Sequence, residues 1–328
     1  MKCTTRRVFA GALTLLPLLA ALPLAAQAQA WPTRPIKVIL PLPAGGQTDA
    51  VLRWYAQKAE AALGQPVIIE NRPGANTMLA TQQVARAAPD GYTLLFNMTA
   101  IVSNTVLQAN PNYDAFRDFV PVHRTYELYA TLAVPGTSNI KTLADFVAAA
   151  KAAKQPMSYG TTGHASSSHY FVELLAKQAG LTMSHIPYKG EAPLLPDLIA
   201  GRVDAGIVSG AAVKQFEPDG KIRTLAVSGN RRLALLPDVP TFKELGYNGI
   251  GNESFAGFFA PAGTPAAIVD KLNAEFNRIS LLPETRERLA TQAVEPTPPS
   301  TPAEFGIVMR KAYDEWVQNR KSVDIKPE

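Results

Sequence analysis

From residue 36 onward the chain alternates short β-branched runs with longer amphipathic ones, and this alternation admits few folds. Ile36-Lys37-Val38-Ile39-Leu40 has the pattern of a buried strand bounded by prolines. A loop over 41–46 follows, and then Val51, Leu52, Tyr55, Ala59, Ala62 and Leu63 recur at helical spacing. Thr48 or Asp49 is the expected cap of that helix, and Gly64 its stop. A strand at 67–70, a helix over about 76–87 and a strand at 92–96 come next. This β-α-β-α-β order predicts a parallel sheet with helices on both faces.

The pattern then begins again. Strands are expected at 131–134, 157–160, 206–208 and 224–227, with 184–187 leading into a turn. Helices are expected over 143–153, capped by Thr142, from a Ser166 or Ser167 cap to Ala179 with Gly180 as the stop, and over 192–200. A strand at 255–259 and helices at 265–279, 283–290 and 302–319 close the chain. Two α/β units with no low-complexity linker between them predict domains joined by crossing strands, with a cleft between. Open α/β sheets bind ligands at the carboxyl ends of their strands. The loops 41–49, 71–77, 97–103, 160–168, 188–191 and 208–211 are therefore the places to look for a site.

The first thirty residues read as a secretory signal peptide. Lys2, Arg6 and Arg7 precede an apolar stretch over 8–26, and Ala26-Gln27-Ala28-Gln29-Ala30 ends it with the small-residue spacing of a cleavage site near Ala28 or Ala30. The same stretch is nearly long enough for an uncleaved anchor. Thr5-Arg6-Arg7-Val8-Phe9 also has the form of a twin-arginine signal. Without these residues, 29 basic side chains face 27 acidic ones, so the overall charge of +5 falls to +2. That balance, with no Lys/Arg-rich stripe, argues against a nucleic-acid partner. Cys3 is the sole cysteine, which excludes internal disulfides and cysteine-based metal sites. The expected product is an exported, periplasmic protein.

Catalytic motifs are mostly missing. There is no G-x-G-x-x-G after a strand, no P-loop, no G-x-S-x-G elbow and no H-E-x-x-H. His164 and His169 are five apart rather than four, and no metal or cofactor is expected. Ser166, Ser167 and Ser168 beside His169 leave open a Ser/His hydrolase, although a serine cap with histidine in the first helical turn explains the same residues. More informative are the polar loops that open helices: 43–48, 76–77 and 166–168. A helix N-terminus offers free N–H groups and about half a positive charge. Gly45 and Gly46 allow close approach to the backbone, and Thr161, Thr162, Ser166 and Ser167 add hydroxyl donors.

The mature chain resembles the periplasmic substrate-binding proteins of tripartite tricarboxylate transporters, the Bug or TctC family. The resemblance is carried by Trp31-Pro32-Thr33-Arg34-Pro35-Ile36, Pro43-Ala44-Gly45-Gly46-Gln47-Thr48-Asp49 and Glu70-Asn71-Arg72-Pro73-Gly74-Ala75. Ala88-Pro89-Asp90-Gly91-Tyr92-Thr93, Pro187-Tyr188-Lys189-Gly190, Leu236-Pro237-Asp238-Val239-Pro240-Thr241 and Ala260-Pro261-Ala262-Gly263-Thr264-Pro265 extend it. It implies an α/β, type II periplasmic-binding-protein fold (a Venus flytrap). Two Rossmann-like domains, each with a central mostly parallel sheet, are joined by crossing strands. Residues 31–126 with 250–328 form domain 1, and 127–249 form domain 2.

The resemblance also implies a monomer without catalysis that captures a small carboxylated solute and delivers it to the membrane components of a transporter. A ligand sensor for a signalling receptor is the alternative. By position, the carboxylate falls to the loop with Pro43, Ala44, Gly45, Gly46 and Asp49, and to the loop with Thr161, Thr162, Gly163, His164, Ala165, Ser166 and Ser167. Asp49 is expected to orient its own loop, because a carboxylate repels an anionic ligand. Asn76-Thr77 replaces a usual Gly-rich stretch, and Thr161-Thr162-Gly163-His164-Ala165 replaces a usual Ser-Gly-x-Gly order. These departures leave Asn76, Thr77, Asn97, Thr99, His164 and Ser209 to read a distal group that is polar rather than charged. Tyr188 and Lys189 complete the expected site, with Lys189 either neutralising a charge or lying solvated in its turn.

Overall fold

A computed structural model describes residues 1–2, 31–251, 254–294, 296–323 and 325. The expected signal peptide and its cleavage site lie almost wholly outside these residues. No helix among the described residues is long and apolar enough to cross a membrane.

The first sheet holds β1 (Ile36–Leu40), β2 (Val67–Asn71), β3 (Thr93–Met98), β4 (Phe119–Tyr126) and β10 (Ala256–Pro261) in the order β2-β1-β3-β10-β4. The second holds β5 (Ala130–Pro135), β6 (Met157–Thr161), β7 (Met183–Pro187), β8 (Ala205–Ser209) and β9 (Ile222–Val227) in the order β7-β6-β8-β5-β9. Both are mixed. β1 pairs in parallel with β2 and β3, and β6 with β7 and β8. β10 runs antiparallel to β3 and β4, and β5 antiparallel to β8 and β9. The two reversed strands are those that follow a crossing between the sheets, so each enters its new sheet from the opposite end.

Helices cover the sheets. α1 (Gln47–Leu63) buries Val51, Leu52, Tyr55, Ala56 and Ala59 on one face and ends at left-handed Gly64, whose N–H reaches Glu60 O at 3.0 Å. It begins before the expected cap. Gly46 is the N-cap, while Thr48 and Asp49 sit buried in the first turn. α2 (Met78–Ala85) also departs from expectation by starting at 78 instead of 76. Ala75, Asn76 and Thr77 take positive φ angles of 45°, 49° and 74°, which an α-helix cannot contain. Buried Asn104 holds that turn: its side chain donates to Asn76 O at 2.6 Å and accepts from Asn76 Nδ2 at 3.0 Å.

Three elements were not evident in the sequence: β4, α3 (Ala100–Leu107) and α7 (Gly210–Phe216). Both helices are short and grow out of segments that read as strand-end loops. α4 (Leu143–Ala152) has the expected Thr142 cap, completed by Asp145 into a capping box. α5 (Ser167–Ala179) has the expected Ser166 cap and Gly180 stop. α6 (Glu191–Ile199), α8 (Ala266–Leu281), α9 (Pro283–Thr291) and α10 (Pro302–Ser322) complete the set.

α10 ties the halves of the molecule together. Near its start, Phe305 packs on Phe255, just before β10, and on Phe259 of β10, with ring centroids 5.2 Å apart in both cases. Further along, Trp316 stacks on Phe171 of α5 at 5.7 Å and meets Tyr170 edge-on at 5.8 Å. Lys177 of α5 donates to Ser322 O at 2.5 Å. Trp316 is only 3% exposed. Its replacement by alanine is expected to lower the unfolding free energy by about 3–5 kcal/mol in urea titrations, the usual cost of emptying a large aromatic site. A loss under about 1 kcal/mol would show that this contact does not hold α10 in place.

Candidate ligand-binding cleft

The carboxyl end of β3 in the first sheet and those of β6, β7 and β8 in the second border a common cavity of about 220 Å³. Its size suits a small solute. The first sheet contributes Thr99, which follows β3 and opens α3; the crossing segments contribute Leu128, Tyr129, Ser228, Gly251 and Ser254. The second sheet supplies Thr162, Ser167, Ser168 and Phe171 from the β6–α5 region, Glu191 at the start of α6, and Ile207, Val208 and Ser209 from β8. Trp316 of α10 closes one wall.

The loop from β6 into α5 is tightly wired. Thr161 Oγ1 donates to Gly163 O at 3.0 Å and lies 2.7 Å from His185 Nε2. Ser166 Oγ donates to Gly163 O at 2.7 Å and accepts from the His169 amide, capping α5. Ser168 Oγ lies 2.9 Å from Ser166 Oγ and 3.0 Å from Thr162 Oγ1, and it accepts from the Thr162 amide. Thr161, Ser166 and Ser168 therefore spend their hydroxyls mainly on loop shape. The Ser167 hydroxyl has no hydrogen-bond partner among the described residues and borders the cavity at the first helical position of α5. Thr162 is exposed and also borders it.

Three of the four histidines gather at this loop. His169 stacks on His185 with centroids 3.6 Å apart, and His164 lies 5.2 Å from His169. Ala165, at φ 49°, donates its amide to His169 Nδ1 at 3.1 Å, so the neutral ring carries its proton on Nε2. Among the described residues the His169 ring accepts from the Ala165 amide, and no hydrogen bond joins it to Ser166, Ser167 or Ser168. No group of three or more candidate metal ligands occurs there either.

Other expected site residues lie elsewhere. Pro43, Ala44, Gly45 and Gly46 form an exposed loop that does not line this cavity. Asp49 orients that loop as expected. It accepts from the Gly45 amide at 2.9 Å, from Asn71 Nδ2 at 2.9 Å and from Arg53 through both oxygens. Burial raises the Asp49 pKa, but the bonds from Arg53, Gly45 and Asn71 outweigh it and leave a net depression. Asn97 is buried and donates to Thr81 Oγ1 at 2.9 Å, under α2. Asn76 and Thr77 are engaged with Asn104. Tyr188 turns its hydroxyl to Asp197 at 2.7 Å, and Lys189 is exposed in its turn. Ser209 does line the cavity, but its amide and hydroxyl both donate to Glu191, at 2.5 and 2.9 Å. Glu191 was not singled out in the sequence, although its loop was. An acidic residue at a helix start has an ordinary explanation in the helix dipole.

The stacked histidines make stability depend on pH. Burial, and then the charges of His185 and His164, push the His169 pKa down to about 3; burial and His164 push His185 down to about 4. Both rings stay neutral in the fold at pH values where the unfolded chain, titrating near 6.5, takes up protons. Stability is therefore full above about pH 6.5 and falls as pH drops, by about 1.4 kcal/mol per pH unit for each such histidine. Buried His123, pushed down to about 3, adds to the trend, and Glu191, raised by burial, opposes it. Urea titrations at pH 7 and pH 5 are expected to show this fall. The His169→Gln, His185→Gln double variant should flatten it, and an unchanged slope would contradict the assignment.

The comparisons with known proteins agree with this architecture. Residues 51–311 match the family model described as "Tripartite tricarboxylate transporter family receptor". A UPF0065 protein of Cupriavidus necator is 39% identical over 278 residues, covering 85% of this chain and 84% of its own. A Rhodopseudomonas palustris protein solved with adipate superposes with a TM-score of 0.82 at 30% identity, covering 91% of this chain and all of the other. MatC of the same organism, solved with bound malate, gives 0.78 at 29% identity, covering 88% and 99%. The chain thus belongs to the TctC family of tripartite tricarboxylate transporter receptors, the Bug-type periplasmic binding proteins.

Proposed function

We propose that the mature protein is a periplasmic solute-binding protein that encloses a small carboxylate between its two sheets and delivers it to the membrane components of a tripartite tricarboxylate transporter. The observation that carries this reading is the cavity itself. Hydroxyls and helix starts from both sheets meet there, at the strand ends where α/β sheets take ligands. The relatives solved with adipate and malate support a carboxylate.

In this reading residues 31–126 with 250–328 form one lobe and 127–249 the other. The signal peptide is removed near Ala28 or Ala30 on export. The carboxylate is held by the N-terminal end of α5, with Thr162 and Ser167 donating, and Thr99 faces it from the other lobe. Backbone N–H groups and the helix dipole supply the favourable field without a guanidinium. The exposed Ala44-Gly45-Gly46 loop at the start of α1 meets the ligand when the lobes close further. A ligand that binds the closed form better than the open one drives that closure.

Thermal denaturation against a panel of mono- and dicarboxylates tests the reading. At least one acid should raise the melting temperature, because ligand at about 100 times its Kd adds about 2.7 kcal/mol. Calorimetry with that acid should show Thr162→Ala and Ser167→Ala each weakening binding by about threefold to tenfold, the worth of one hydrogen bond. A panel with no stabilising acid, or binding untouched by both changes, would contradict it.

A further inference from the structure

Glu191 is the one residue carrying a formal charge at neutral pH among the described residues that line the cavity, and that charge is negative. It stands at the first position of α6, and burial is the main influence on its carboxyl. Its oxygens accept from the Ser209 amide at 2.5 Å and from Ser209 Oγ at 2.9 Å. No cation pairs with it among the described residues. Ser209 in turn caps α7, accepting from the Ala212 amide at 3.3 Å. The strand-end donors of β8 are therefore already answered by a carboxylate of the protein, and a ligand anion finds them taken.

Resting on the carboxylate reading, we infer that the cleft selects a carboxylate whose other end is an ammonium or another N–H donor, which Glu191 receives. A dicarboxylate would bring a second anion towards Glu191 with no described cation in the wall to offset it. An amino acid of similar length meets hydroxyls and N–H groups at one end and a carboxylate at the other. Each oxygen of Glu191 has lone pairs beyond those used by Ser209, so it can accept from a ligand without releasing α7.

The test uses three pairs of equal chain length: succinate with 4-aminobutyrate, glutarate with 5-aminopentanoate, and adipate with 6-aminohexanoate. Calorimetry on the full-length mature protein should find the amine of at least one pair binding at least about tenfold tighter than its dicarboxylate, a difference readily resolved. Glu191→Gln should shrink that ratio by at least about tenfold, whereas Glu191→Asp and Ser209→Ala, which keep the charge, should preserve the preference. Melting curves identify any variant that fails to fold, and Glu191→Asp then serves against Ser209→Ala. Dicarboxylates that bind as tightly as the amines, or a ratio indifferent to Glu191→Gln, would overturn this inference and leave the carboxylate reading standing. Failure of all six to bind at millimolar concentration would overturn both.

Discussion

The two crossings between the sheets are laced to one another, and the position of the cleft depends on that lacing. Ser228, just past β9, donates its amide to Ala130 O at the start of β5, and its hydroxyl accepts the Ala130 amide, both at 2.8 Å. Ser254 Oγ reaches Leu128 O at 2.5 Å. Phe255 and Thr99 share three bonds: amide to carbonyl and amide to hydroxyl, both at 2.9 Å, and Thr99 Oγ1 to Phe255 O at 3.3 Å. These bonds fix the outgoing and returning chains side by side and place the carboxyl ends of both sheets around the same space. The crossings themselves are short segments at element ends, which suits a hinge, since a hinge concentrates backbone change in a few such residues.

Recognition in the cleft follows from what its walls contain. Hydroxyls and helix starts attract an anion with modest individual energies, each hydrogen bond contributing about 0.5–1.5 kcal/mol net. Enclosure strengthens each of them, because the effective dielectric falls as water is excluded. A site built this way depends on loop shape. Hence the β6–α5 loop spends Thr161, Ser166 and Ser168 on holding itself, with the stacked rings of His169 and His185 against it. Burial of His169 and His185 keeps those two rings neutral and gives the loop its sensitivity to acid.

Much of this was legible in the sequence because it is local. The buried runs of β1 and β6, the stop glycines 64 and 180 and the caps Thr142 and Ser166 each follow from a few neighbouring residues. The family motifs added the two-lobed fold. What was hidden depends on distant partners. The reversal of β5 and β10 follows from where the chain crosses, which no short window contains. Asn97 looks like a ligand contact by position, yet its amide is committed to Thr81. The three left-handed residues at 75–77 carry no glycine to announce them and are held by Asn104, 28 positions past Asn76. Nothing in the sequence marks Glu191, just before the helix expected at 192–200; the fold sets it against Ser209 in the cavity wall.

The central claim is that one small acid touches both lobes at once. Hydrogen–deuterium exchange with and without the tightest-binding acid tests it directly. The account predicts simultaneous slowing of the amides at the start of α3, residues 99–103, and in the β6–α5 loop, residues 162–169. Slowing confined to one of these segments, or found only outside the cavity, would contradict a ligand bound between the lobes.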